Sequence, residues 1–157
     1  MKIFREQAAA VNLNWFLTRI KMTYALDTST IIRLLQHDID VCAGRDKVLG
    51  EGPNLVIPII AYYEIQRGFN YQSFPKKEQL YQSLCVQYQV VDLTKEMWQY
   101  AARLYADLRR ASYTIGDADI LIASLCIIGQ YTLVSTNTKH YEIIEKLQLT
   151  NWAKIVK

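Results

Sequence analysis

Beyond Met22 the chain alternates short, β-rich apolar runs with longer segments of helical pattern, and that alternation leaves few folds open to it. "TYAL", "LVIP", "QVVDL" and "YTLVS" read as brief buried strands, each bounded by polar or turn residues. Helical patterns fill the gaps. The clearest runs from Thr94 to Ala111, where Met97, Ala101, Leu104, Tyr105 and Leu108 share one face and the charges the other. Thr94 with Met97 offers only half a capping box. Strands that alternate with helices predict an α/β fold, with a central, mainly parallel sheet covered by helices on both faces as a three-layer α/β/α domain.

The 157 residues, about half of them apolar at 51%, suffice for one domain with a single core, so one site is expected rather than several modules. A formal charge of +3 permits a polyanionic partner without requiring one. Cys42, Cys85 and Cys126 lie far apart and form no Cys-x-x-Cys pair. They read as reduced, mostly buried thiols, and a cytoplasmic location is expected. The leading "MKIFREQAAAVNLNWFLTRIK" is helix-compatible, but too short and too polar to span a membrane, and it lacks the cleavage site of a secretory signal. Met22 then precedes the first strand as an initiator would. Residues 1–21 are therefore read as an extension, either a start-site artefact or a functional helix, and residues 22–157 as the domain.

In "YALDTS" a short apolar run stops at one carboxylate, Asp27, with hydroxyl residues directly after it. Asp27 is either an N-cap of the helix begun by "TSTIIRLL" or a site residue at the carboxyl end of a central strand, where α/β folds bind ligands. Glu64 emerges from the apolar "IPIIAYYEIQRGF", either to pair with Arg67 one turn on, to lie on a solvated helix face, or to enter the same crevice. In "IGDADILIASL", residues two apart on a helix point roughly 200° from each other, so Asp117 and Asp119 cannot face the same way. Asp119 shares the sheet-facing side with Ile122 and Ala123 and is assigned to the site. Asp117, after Gly116, is assigned to the cap or the helix dipole, with a possible outer role at the site.

Asp27, Glu64 and Asp119 come from three elements, each near the end of an apolar run. Brought together uncompensated they would repel. A hard divalent cation, Mg²⁺ or Mn²⁺, removes that difficulty, prefers carboxylate and water oxygens, and leaves room for a phosphate. Zinc suits the chain less, because His37 and His140 form no ligand-spaced pair and the cysteines no cluster.

With these residues in place, the chain from about Met22 onward resembles the PIN-domain ribonucleases, and within them the VapC-type toxins of bacterial type II toxin-antitoxin pairs. "LDTSTIIRLL" is similar to the family's opening strand, acid and helix, and "VIPIIAYYEIQRG" to its Glu-bearing helix. "IGDADILIASLCIIGQYTLVSTNTKHYEII" is similar to its third-acid helix, next strand and polar turn. The resemblance implies that Asp27, Glu64 and Asp119 are the catalytic and metal-binding acids, with Thr28 and Asp117 as auxiliary residues. The family's fourth position falls on Asn137, with Ser135 as the accompanying hydroxyl. Asn is neutral, so a second metal should bind more weakly than in four-acid members, and a one-metal resting state follows. His140 stands where some members carry Glu.

The resemblance further implies a metal-dependent endoribonuclease that cuts a structured or transfer RNA and inhibits translation. It also implies a homodimer, and a cognate antitoxin whose C-terminal segment fills the cleft. A cation held by the acids would activate water for in-line attack on a phosphate, with Glu64 as ligand or partial general base. Arg33, Arg67, Arg109, Arg110 and Lys139 are the candidate phosphate contacts, against the alternative of solvated helix faces. The many tyrosines can stack on bases or fill core and interface. A haloacid-dehalogenase-like phosphatase would want an acid at position 29, which is Ser29, and a receiver module an acidic pair that "MTYALD" lacks. The main rival is a catalytically weakened PIN-like domain that binds RNA or protein.

Overall fold

The computed structural model describes residues 21–155, so the expectation for residues 1–21 lies, but for Lys21, outside the described residues. In chain order the elements are β1 (Thr23–Leu26), α1 (Thr28–Leu35), α2 (Ile39–Leu49), β2 (Asn54–Pro58), α3 (Ile59–Tyr71), α4 (Pro75–Gln87) and β3 (Gln89–Val91). They continue with α5 (Lys95–Arg110), α6 (Asp117–Gly129), β4 (Thr132–Val134), a 3₁₀ turn (Thr138–His140), β5 (Leu149–Thr150) and α7 (Trp152–Ile155). The sheet has the order β3-β2-β1-β4-β5 and every described pairing is parallel, so "mainly parallel" sharpens to parallel throughout. No helix among the described residues is long and apolar enough to cross a membrane.

A parallel sheet covered on both faces needs strands apolar on both sides. Ala25, Leu26, Ile57, Leu133 and Val134 meet that need with no exposed surface at all. β1 is the central strand, with Tyr24 opposite Leu55 of β2 on one side and Ala25 opposite Leu133 of β4 on the other. The chain runs outward from β1 through β2 to β3, then crosses back to β4. The strand order therefore reverses between β1 and β4, and their carboxyl ends flank the crevice where such sheets bind ligands.

Two local details differ from expectation. Thr94 makes both halves of a capping box: its hydroxyl accepts from the Met97 amide at 3.3 Å, and its own amide donates to Met97 Sδ at 3.4 Å. A thioether does what Glu or Gln usually does. Tyr105, placed on the buried face of α5 by periodicity, is instead 41% exposed. β5 is too short to carry any periodicity of its own and exists because Leu149 pairs with Leu133.

Behind β5, Trp152 is fully buried with its ring 6.3 Å from that of Tyr24, which anchors α7 to the central strand. α7 also presses on α2 at Gly44, where a Cβ would overlap the Trp152 carbonyl oxygen and lie 2.8 Å from the Trp152 Cβ. Glycine is required there by close approach, whereas Gly68 in α3 has open space around the same position. Gly44→Ala is expected to destabilise the fold by about 1–3 kcal/mol through overpacking. Gly68→Ala should stabilise it by about 0.5–1 kcal/mol through helix propensity. Urea unfolding of the two variants beside the parent checks both signs.

Candidate active site

Asp27 is the first residue past β1, and it answers to both roles the sequence left open. Its backbone caps α1: its carbonyl accepts from the amides of Thr30 and Ile31, each at 3.0 Å, from an extended conformation. Its side chain makes no cap bond. Instead the carboxylate, 5% exposed, accepts from hydroxyls. Ser29 and Ser135 each donate to Oδ2 at 2.7 Å, and the Tyr141 hydroxyl lies 3.3 Å from Oδ1.

The surrounding backbone fixes these donors. The Val134 carbonyl, at the end of β4, accepts from the Asp27 amide at 3.0 Å and from the Thr30 hydroxyl at 2.8 Å, tying α1 to the strand that carries Ser135. Ser29 Oγ takes the Thr136 amide at 3.1 Å, and Ser135 Oγ takes the Asn137 amide at 3.0 Å. The two serines thus hold the loop at Thr136 and Asn137 while each donates its hydroxyl hydrogen bond to Asp27.

Asp119, in the first turn of α6, meets Asp27 through Tyr141. The same phenol oxygen is 3.0 Å from Asp119 Oδ1, and His140 Nδ1 is 3.5 Å from the other oxygen of Asp119. Two carboxylates therefore face one phenolic proton. Burial, then the charges of Asp27 and Asp119, push the Tyr141 phenol well above the usual tyrosine range, so it stays a neutral donor. Cys126, fully buried behind this region, is likewise pushed up by burial and then by Asp27, and remains a thiol.

The other expected residues separate into those that join the pair and those that do not. Glu64 accepts a hydrogen bond from Thr28, the neighbour of Asp27, and so reaches the site one residue removed. Among the described residues no three His, Cys, Asp or Glu side chains gather closely enough to hold an ion, so the expected meeting of three acids reduces to a pair with Glu64 beside it. The alternative Glu64–Arg67 pair is not formed: Arg67 lies over the Tyr63 ring, 5.3 Å from its centroid. Gly116, not Asp117, occupies the N-cap of α6, because Asp117 already has helical geometry as its first residue. Asp117 lines a groove with Trp98, Ala101 and Tyr105 of α5, away from the acid pair, as the 200° offset requires. Asn137 is exposed and opens the 3₁₀ turn.

Of the candidate phosphate contacts, Arg33 pairs with Asp38 at 2.9 Å and Arg110 with Asp107 at 3.0 Å. Arg109 donates to Thr114 and covers the Tyr105 ring. Lys139 lines a recess of about 380 Å³ that Asp119, His140 and Tyr113 also border. Tyr141 and Ser29 went unassigned at the sequence level. Ser29 had a local signal, a hydroxyl two residues after the acid; Tyr141 had none, since it reads as one more core aromatic.

The donor set fits a hard cation. The facing atoms are carboxylate oxygens and hydroxyls, the chemistry Mg²⁺ and Mn²⁺ select, and two anions share a single proton with no Lys or Arg bridging them among the described residues. The hydrogen bonding also sets the response to mutation. In Asp27→Asn the amide oxygen can still accept from both serines and its NH₂ can donate to the phenol oxygen, while repulsion with Asp119 falls. Metal-free stability should hold within about 1 kcal/mol. Asp27→Ala takes the shared acceptor from Ser29 and Ser135, leaves Tyr141 to Asp119 alone, and should cost about 2–4 kcal/mol, more than the roughly 1 kcal/mol of a lost cap. Thermal and chemical melts in a chelator measure both.

Comparison with known proteins places the fold. The family model for the PIN domain matches residues 24–146. Ribonuclease VapC2 of Rickettsia felis is 29% identical over 136 residues, covering 85% of this chain and all of the relative. The VapBC2 complex of Rickettsia felis bound to a DNA fragment from its promoter superposes with a TM-score of 0.76 at 25% identity, over 83% of this chain and 99% of that one. VapBC-1 of nontypeable Haemophilus influenzae gives 0.75 at 26% identity, over 85% of this chain and all of that one. The chain belongs to the PIN-domain family, as a member of the VapC type.

Proposed function

We propose that the chain is a divalent-cation-dependent endoribonuclease, a VapC-type toxin held in check by an antitoxin protein. The observation that carries the proposal is the convergence of Asp27 and Asp119 on one phenolic proton at the switch point of the sheet. Relatives of matching length bear the name ribonuclease or were solved as VapBC complexes, which supports both the activity and the partner. Inhibition of translation through a structured or transfer RNA, action as a homodimer and a cytoplasmic location are the finer parts of the proposal and rest on the VapC likeness.

In this reading the carboxylates of Asp27 and Asp119 would hold Mg²⁺ or Mn²⁺. When bound, the ion neutralises charge on the phosphate and makes a water more acidic. The protein does the rest. Ser29 and Ser135 hold the Asp27 carboxylate in one rotamer, so its Oδ1 faces Asp119. Glu64, fixed by Thr28 next to Asp27, is the candidate to take a proton from an attacking water or to hold that water in line. Lys139 in the recess beside Asp119 offers charge to the RNA backbone. Arg33 and Arg110 contribute less, because each is already paired on the surface.

The rival reading, a weakened RNA- or protein-binding domain, draws on the absence of a three-ligand group among the described residues. Cleavage assays decide between them. Chelation should abolish cutting of single-stranded or transfer RNA and added Mn²⁺ should restore it. Asp119→Asn should lower the rate at least about 100-fold, or roughly 2.7 kcal/mol of barrier, while Asp117→Asn stays within about threefold. RNA binding without metal-dependent cutting would favour the rival.

A further inference from the structure

The Tyr141 hydroxyl touches both acids of the pair, and nothing in the PIN-domain assignment calls for it. Tyr141 is 1% exposed and follows directly on the 3₁₀ turn, whose N-cap residue Asn137 donates its amide to Ser135. The neighbouring His140 approaches the second oxygen of Asp119. Consecutive residues thus lie against both oxygens of one carboxylate, and Tyr141 reaches across to Asp27 as well.

A phenol in that place has a geometric effect. With one proton to offer, it sits 3.0 Å from one carboxylate and 3.3 Å from the other, so neither acid can turn away without losing its share of that proton. The separation of the two Oδ1 atoms cannot exceed the sum of those distances. The ring cannot withdraw to make way for an ion without opening a void in the core. An arriving cation would therefore meet two carboxylates already tied to one point. Groups that hydrogen-bond to ligating carboxylates orient them in this way and change metal affinity by 10–100-fold when removed.

We propose that Tyr141 is a positioning residue: its hydroxyl fixes the distance and facing of Asp27 and Asp119, and thereby sets how tightly the pair binds a divalent cation. The proposal rests on the reading of that pair as a cation site. It assigns to one hydroxyl a share of the affinity that the neutral Asn137 does not supply.

The test is direct binding of Mn²⁺, followed by the electron paramagnetic resonance of the free ion, to wild type, Tyr141→Phe and Tyr81→Phe. Tyr81 is a fully buried phenol elsewhere in the core and reports the generic effect of losing such a group. Tyr141→Phe should weaken Mn²⁺ binding about 10–100-fold, Tyr81→Phe by less than about threefold. RNA cleavage by Tyr141→Phe should recover towards wild type as Mn²⁺ is raised, since the defect lies in filling the site. Equal or tighter Mn²⁺ binding by Tyr141→Phe overturns the positioning role while leaving the nuclease reading intact. Failure of wild type to bind Mn²⁺ overturns both. Should Tyr141→Phe not fold, wild type labelled at the tyrosine ζ-carbon gives the answer: a tyrosine resonance must move along the Mg²⁺ binding curve, and if every one stays in place while Mg²⁺ binds, the proposal falls.

Discussion

A carboxylate at the end of a buried strand has to be satisfied, and most of the structure around the site follows from how Asp27 meets that demand. Taking an ionised group out of water without partners costs more than a small domain can spare. Asp27 is rescued by hydroxyls from three parts of the chain: Ser29 on α1, Ser135 after β4, and Tyr141 after the 3₁₀ turn. Each donor fixes its own segment in return. The Val134 carbonyl locks α1 against β4, the serines order the loop from Thr136 to Asn137, and Tyr141 carries the turn back over Asp119. The network is neutral apart from the acids themselves, so it stabilises Asp27 without cancelling its charge.

That remaining charge is what the site can use. Hydroxyls hold an anion in place yet leave it anionic, whereas a paired arginine would have quenched it. Two of the described basic side chains are already engaged at the surface, Arg33 with Asp38 and Arg110 with Asp107, in exposed pairs of the kind that contribute little. The acid pair is left facing a single proton, with Lys139 and His140 at its rim. An electrostatic arrangement of that kind attracts a small hard cation first, and through it a phosphate.

Much of the fold was legible because the relevant signals are local. Tyr24-Ala25-Leu26 is apolar over its whole length, as a central parallel strand must be, and ends at a residue that can cap the next helix. The divergence of Asp117 and Asp119 follows from helical geometry alone, and the structure places them on opposite sides of the start of α6. The donors to Asp27 were another matter. Ser135 and Tyr141 lie 108 and 114 residues away from it, so no window of sequence contains both partners, and a tyrosine among apolar residues looks like core. Glu64 misled in the opposite sense: Arg67 is near in sequence, but Thr28, 36 residues distant, is the partner it takes. Local pairing rules lose wherever tertiary contact offers a buried donor.

The central claim is that Asp27 and Asp119 form one cation site at the end of β1. Anomalous diffraction from a Mn²⁺-soaked crystal tests it most directly. The account predicts a peak in contact with carboxylate oxygens of both residues, with Tyr141 still hydrogen-bonded to the pair. Density confined to surface acids such as Asp38 and Asp46, with the space between Asp27 and Asp119 empty at saturating Mn²⁺, would contradict it.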